Sequence, residues 1–500
     1  MSEKIKDKQT GLSKSKYCCG IQCPKILWLD KHKPEEKIST LSESVIENGN
    51  RVGALAREYF GDYALVEFNH EDMNQMVIKT QEYIAAGKEN IAEASFYTDG
   101  LFCSVDILHK NGNSWEIYEV KSTTKLHEQF LDDMAFQCYV LEKCDLEISK
   151  VFNMHINGNY VFQKELNIKE YFTIEDCTEI CKSKHHEIEQ NIALIREYMS
   201  VEDEPAKDIG IHCEKPYECG YKAYCGRNIL RPSVFDIHGL RKSSMYKLYQ
   251  DGIISFEDVI NNKIKLNDKE LCQVETAYYH KQDTVNKEEI RKFLNTLSYP
   301  IYHLDFETFM NVIPEWDGCT PYGQIPFQYS LHIEAEDGKL EHMEFLASAG
   351  KDPRRAVAEQ LCKDIPLDVC LLAYNMSFEK NVLEMLALLY PDLATHLRNI
   401  KENFKDLEDP FRNKYYYSEK MQGSYSIKYV LPALFPDDAS LDYHNLEQVH
   451  KGDEASAAFL KLDKLPKEEA EELRNNMLKY CGLDTYAMVK ILGKLKEAVR

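Results

Sequence analysis

Asp305 and Glu307 alternate in the apolar run Tyr302–His303–Leu304–Asp305–Phe306–Glu307–Thr308, and far downstream Tyr480 stands four residues before Asp484. Side chains at i and i+2 share one face of a strand, and those at i and i+4 share one face of a helix, so each pair can aim at one point. Between them the stretch Leu371–Leu372–Ala373–Tyr374 breaks at Asn375 and Ser377 and delivers Glu379 at the start of an expected helix. Carboxylates brought together in this way hold divalent cations, and a metal pair supports hydrolysis of phosphodiesters. Tyr480 would stand beside Asp484 and position the attacking water.

A second acidic set lies nearer the amino terminus. Gly100–Leu108 reads as one strand, Asn111–Gly112–Asn113 as a turn, and Trp115–Lys121 as the hairpin partner. The hairpin brings Asp106 near Glu119 and Lys121. The two carboxylates would hold Mg2+ or Mn2+, and the ammonium would orient or activate water and offset developing negative charge. A helix is expected to follow over Glu128–Lys143.

Cys213, Cys219 and Cys225 form a tight trio in which Pro216 and Gly220 bend the backbone so that three thiolates can converge. Three thiolates leave a tetrahedral site or an iron–sulfur cubane one ligand short, and Cys18, Cys19 and Cys23 offer a distant fourth. Sixteen cysteines in a chain expected in the cytoplasm are read as metal ligands and free thiols, since a reducing compartment opposes disulfides.

The set Asp305, Glu307, Glu379 and Asp484 with Tyr480 resembles the tyrosine-bearing branch of the DEDD (DnaQ-like) 3′–5′ exonucleases over roughly residues 300–500. Gly423–Leu431 looks like that family's segment between its second and third motifs, while Glu379 stands where the family usually has Asp. Asp106, Glu119 and Lys121 form the PD-(D/E)XK pattern. One cysteine before such a domain and three after it resembles the iron–sulfur nucleases of the RecB type, including the AddB and CRISPR-associated exonucleases. That resemblance implies Cys23 as the upstream ligand, because Cys-Pro-Lys before an apolar Leu-Trp pair is the form it takes there. It implies a [4Fe-4S] cluster on Cys23, Cys213, Cys219 and Cys225, with zinc as the alternative, and a site role for Gln137. Gly49–Gly53 looks like the family's glycine-valine-histidine helix with Gly53 at the histidine position, a loss for which Glu93 could compensate.

Over nearly its full length the chain resembles an uncharacterised bacterial family that fuses a RecB-like, cysteine-bearing domain to a DEDD-type domain. The implied fold class is α/β, with an N-terminal restriction-endonuclease-like fold and a C-terminal ribonuclease H-like fold. The expected domains are 1–230, clasped by the cysteines; 231–295, a helical linker in which Val234–Asn262 looks like a degenerate helix–hairpin–helix; and 296–500.

Five hundred residues exceed one ordinary core, and an apolar share of 44% is that of a folded chain. No apolar stretch approaches the roughly 20 residues of a membrane span, and Met1–Lys16 is polar and lysine-rich, so a cytoplasmic location is expected. A net charge of −22 argues against a general nucleic-acid coat, though basic residues such as Arg354 and Arg355 could line a channel. His212 and His303 are read as packing residues. No phosphate-binding NTP loop is present, so the chain is no helicase by itself.

Two function classes follow. One is a metal-dependent exonuclease acting on nucleic acid, DNA ahead of RNA, favoured by the retained acids and Tyr480; a helicase or a repair or defence protein would be a partner class. The other is a non-catalytic nucleic-acid-binding protein with a structural cluster and degraded nuclease domains, favoured by Gly53 and Glu379.

Overall fold

Apolar residues at alternate positions build the sheets of the computed structural model, which describes residues 11–39, 42–69 and 71–500. The protein is mixed α/β and forms two units: the chain up to Asn228 with Asn311–Tyr322, and Ile229–Met310 with Gly323–Arg500. The segment 231–295, expected as a linker, belongs to the second unit. Its helices Lys242–Gln250 and Phe256–Asn261 turn at Gly252, whose φ of +78° suits glycine, and Val234, Ile237, Phe256, Val259 and Val274 give it a small core. Among the described residues no helix is long and apolar enough to cross a membrane.

In the first unit a sheet runs in the order Ala64–Leu65, Asn90–Thr98, Leu101–Asn111, Ser114–Lys121, Ile148–Ile156, Phe172–Asp176, and the short strand Leu12–Ser13 pairs in parallel with the start of the third of these. The expected hairpin closes around Gly112 at φ +62° and pairs from Asn111↔Ser114 to Ile107↔Tyr118. Along its first strand Leu101, Cys103 and Val105 are buried while Phe102, Ser104 and Asp106 are half-buried, so Asp106 leaves the face opposite the aliphatic positions. The helix Glu128–Lys143 buries Phe130, Met134, Phe136, Gln137 and Leu141, and its apolar residues share one core with Leu101, Val105 and Ile117. Each such side chain contributes about 1.5–3 kcal/mol by leaving water.

In the second unit five strands lie in the order Leu340–Leu346, Gln324–Glu334, Ile301–Met310, Cys370–Ala373, Phe404–Asp406; the first three are antiparallel and the last two join in parallel. Tyr302, Leu304 and Phe306 bury against the helices Arg354–Asp364, Ser377–Leu389 and Ala394–Glu402. Period-two alternation sends Asp305 and Glu307 to the other face, over which the long helix Lys467–Ala498 packs. Asn375, at φ +69°, turns the chain from the strand Cys370–Ala373 into the helix that bears Glu379, a left-handed conformation that asparagine tolerates.

Candidate metal centres

Ligand atoms of Asp305, Glu307 and Cys481 lie within 4.8 Å of one another where strand and long helix meet. Burial, followed by the charges of Asp484, Glu307 and Glu379, holds the Asp305 carboxyl well above the usual carboxylate range, which ties the four acids into one electrostatic group. Burial and Asp484 push Glu307 the same way. Burial and then Asp406 raise Glu379 to about 8. Asp484 is raised to about 6 by burial, against the pull of hydrogen bonds from Tyr443 and Tyr480.

Tyr443 donates to Asp484 Oδ1 at 2.6 Å, and its ring lies 6.1 Å from that of Tyr480. Burial and the neighbouring Asp484, Glu307 and Asp305 keep Tyr480 protonated, so its hydroxyl is a donor at any ordinary pH. Glu379 is 3% exposed, and its Oε2 has no hydrogen-bond partner. Among the described residues no lysine, arginine or histidine forms an ion pair with Asp305, Glu307, Glu379 or Asp484; exposed Lys428 acts on Asp484 through its charge alone. Buried carboxylates without counter-charge either take up protons or recruit cations.

The first unit brings Asp106, Glu119, Lys121 and Gln137 to one place as well. Asp106 Oδ2 accepts the Val120 N–H at 2.7 Å, just where the hairpin ladder stops. Lys121 Nζ reaches Glu119 Oε1 at 2.7 Å, and Gln137 Nε2 donates to Glu119 Oε2 at 2.6 Å, while Gln137 Oε1 is buried without a partner. Two further residues complete the group. Lys14 Nζ lies 3.0 Å from Glu119 Oε1 and 3.3 Å from Asp133 Oδ1, and Lys121 lies 2.7 Å from Asp133 Oδ2.

The electrostatics follow from that salt-bridged cluster. Burial, then Asp106 and Asp133, raise Glu119 to about 7 against Lys121 and Lys14. Burial alone would raise Asp133, but Lys14 and Lys121 hold it well below the carboxylate range. Burial opposes the charge on Lys14, yet Asp133, Glu119 and Asp106 hold it well above the ordinary lysine value.

Glu93 falls opposite Asp106, at the one position the ladder between Ala92↔Ile107 and Ala94↔Val105 skips. Its φ of +57° is rarely adopted outside glycine, and its Oε1 is taken by Arg57 at 3.0 Å. At Gly53 an added Cβ would meet nothing within 4 Å, so space does not exclude a side chain there.

Cys23, Cys213, Cys219 and Cys225 line one pocket, whereas Cys18 packs on the apolar core of the sheet and Cys19 on both that core and the cluster that holds Cys23. The amino-terminal segment is stapled to the trio: Gln22 Nε2 donates to the carbonyls of His212 and Tyr217, both at 2.8 Å, and Tyr221 Oη donates to Asp30 at 2.8 Å. Gly220 is required, because a Cβ there would lie 2.7 Å from the Ile38 carbonyl oxygen. Burial pushes the Cys213 thiol up to about 11, so near neutral pH it is protonated unless a cation displaces the proton.

Some expectations are corrected. Arg354 is 3% exposed and bonded to Asp352, and Arg355 is paired with Asp392 and Glu359, so both guanidinium groups are spent within the fold. His303 is fully buried, with Nε2 3.3 Å from Glu334 Oε2, as a packing residue would be. Sequence reasoning missed Lys14, Asp133, Tyr443 and Cys481. Asp133 had a signal, since it precedes Gln137 by one helical turn. Lys14 sits among other polar residues, and Tyr443 in a short 3-10 turn without periodicity, so neither had one.

Residues 302–426 match a family described as a domain of unknown function, DUF2779. The matched span holds Asp305, Glu307 and Glu379, and ends before Tyr480 and Asp484. No curated protein and no solved structure is detectably similar to the chain.

Proposed function

We propose that the second unit is a metal-dependent 3′–5′ exonuclease of the cytoplasm, acting on nucleic acid, DNA ahead of RNA. The observation that carries this reading is the electrostatic grouping of four acids, Glu307 and Glu379 buried and Asp305 and Asp484 half-buried, with no cation paired with them among the described residues. The mixed five-stranded sheet supports a ribonuclease H-like fold for this unit, and the hairpin-bearing sheet a restriction-endonuclease-like fold for the first. The orphaned Glu379 Oε2 and the all-oxygen acid set suit hard cations.

Asp305, Glu307, Glu379 and Asp484 would hold two divalent ions, Mg2+ or Mn2+, which when bound activate a water and stabilise the leaving 3′-oxygen. Tyr443 fixes the rotamer of Asp484 through its 2.6 Å hydrogen bond. Tyr480 offers a proton-bearing hydroxyl beside the acids and orients a water or a phosphate oxygen. The Cys481 thiol, kept protonated by burial and by Asp305 and Glu307, adds no charge.

A second reading applies to the first unit. Two ammonium groups already neutralise Glu119 and Asp133, and this favours a non-catalytic role in gripping nucleic acid. Cys23, Cys213, Cys219 and Cys225 would hold a [4Fe-4S] cluster, or zinc, as a tie that closes the long loop between the amino-terminal segment and the trio.

The test incubates the protein with 5′-labelled single- and double-stranded DNA and RNA, with Mg2+, Mn2+ or EDTA. Metal-dependent shortening from the 3′ end is expected, retained by Glu379→Asp and lost in Glu379→Gln. Equal rates for Glu379→Gln and the parent would remove Glu379 from the site. Iron and sulfide analysis of anaerobically purified protein separates cluster from zinc.

A further inference from the structure

Besides the two acid centres, the helices Glu128–Lys143 and His185–Ser200 bring Cys138, Glu142 and His185 together, with one ligand atom from each within 4.8 Å of the others. Cys138 and Glu142 are one turn apart and leave the same face of their helix, while His185 is the first residue of the second helix. Cys138 Sγ lies 3.9 Å from Glu142 Oε1, and His185 Nδ1 lies 3.5 Å from Glu142 Oε2. The second distance is too long for a firm hydrogen bond. The other ring nitrogen, Nε2, is buried with no hydrogen-bond partner. A buried polar atom left in this state calls for an explanation, and an ion is one.

The surroundings leave room for that explanation. Lys182 lies 3.3 Å from Glu142 Oε1, but its ammonium is also anchored on the Ile148 carbonyl at 2.7 Å. The Tyr139 ring stands edge-on to His185 with centroids 5.5 Å apart and holds the imidazole in place. Cys138 is fully buried, while the side chains of Glu142 and His185 are 33% and 26% exposed, which gives an ion a way in from solvent.

We propose that Cys138, Glu142 and His185 form a zinc site. Thiolate, imidazole and carboxylate are the donors that Zn2+ takes, and three protein ligands leave one coordination position for water. Zn2+ with one thiolate, one carboxylate and a neutral imidazole is a neutral assembly; the thiol proton passes to solvent as the sulfur–metal bond forms. The ion would tie together two helices, and the first of them presents Gln137 to Glu119 and Asp133 to Lys121. Zinc therefore stiffens the element that shapes the acid centre of this unit without entering that centre.

The test titrates Zn2+ alone into full-length protein and, in parallel, into Cys138→Ser, Glu142→Gln and His185→Asn, and counts bound zinc after gel filtration. The parent should retain one zinc more than each variant and gain thermal stability that the variants do not. Co2+ in place of Zn2+ should give a thiolate charge-transfer band that is weaker in Cys138→Ser. Because a change at buried Cys138 can disturb folding, half-buried His185 gives the decisive comparison: His185→Asn with an unchanged circular-dichroism spectrum should lose one zinc. Equal zinc counts in the parent and His185→Asn would overturn the site. Nuclease activity is not the readout, so the outcome stands apart from the exonuclease reading.

Discussion

In the first unit Glu119 lies between two ammonium groups, Lys14 at 3.0 Å and Lys121 at 2.7 Å, and Asp133 shares both. In the second, burial raises Asp305, Glu307, Glu379 and Asp484, the charges of the other three raise Asp305 further and Asp484 raises Glu307 further, with no lysine or arginine paired with them among the described residues. Removing a carboxylate from water costs several kcal/mol, and that cost is met by counter-charge, by protonation or by a metal. One centre carries its counter-charge in the chain; the other must obtain it from solution. On the proposed reading, the second centre is the one that takes a metal. The difference also shows why two acid clusters of similar appearance in the sequence call for different tests.

The largest effect should come from Asp305→Asn. Hydrolysis should fall by about 1,000-fold, the equivalent of roughly 4 kcal/mol of lost transition-state stabilisation. In EDTA the same variant should melt higher than the parent, because one repelling charge is gone. Asp133→Asn should instead lower the melting temperature, since it removes the carboxylate that Lys14 and Lys121 hold ionised. Shifts of the same sign in both variants, measured by calorimetry, would break the contrast between the centres.

Next in size is Lys14→Met, which takes one cation from a half-buried network whose lysine side chain is 21% exposed. A loss of about 3 kcal/mol in denaturant unfolding is expected. Mg2+ should restore part of it, because the vacated charge can then be supplied by an ion. No change on adding Mg2+ would mean that Lys14 does not occupy the place of a metal.

A smaller effect is a pH dependence that differs between the units. A carboxyl raised in the folded state favours the folded protein while protonated, so stability is present below its ordinary value and is lost as pH rises through the folded value. Glu379 moves from 4.5 to about 8, and Glu119 from 4.5 to about 7. In EDTA the second unit should therefore lose stability up to about pH 8, and the first only to about pH 7. Asp133, held low by Lys14 and Lys121, acts in the opposite sense and destabilises only as pH falls below its ordinary 3.8. Saturating Mg2+ should flatten the profile of the second unit. A profile in EDTA that is flat from about pH 5 to 8 would contradict the uncompensated acids.

The smallest expected change is that of Tyr480→Phe, which deletes one hydroxyl beside Asp484. The rate should fall about tenfold, near 1.4 kcal/mol, with Mn2+ affinity by calorimetry unchanged. Weakened Mn2+ binding would show Tyr480 to be part of the metal's support rather than a donor to substrate.

Periodicity made much of this protein legible. The i, i+2 spacing of Asp305 and Glu307, the i, i+4 spacing of Tyr480 and Asp484, the Asn111–Gly112–Asn113 turn and the cysteine trio each specify a local geometry, because strand, helix and turn repeat over a few residues. What the chain alone could not reveal depends on contacts made across sequence. Lys14 meets Glu119 across 105 positions, Tyr443 meets Asp484 across 41, and no local pattern links either pair. The packing of 231–295 into the second unit belongs to the same class, as do the ion pairs that occupy Arg354 and Arg355. Residue types and spacing determined which groups could do chemistry. Whether each acid has a cation beside it was decided by tertiary structure, because charge compensation depends on distance in space and burial, and spacing along the chain encodes neither.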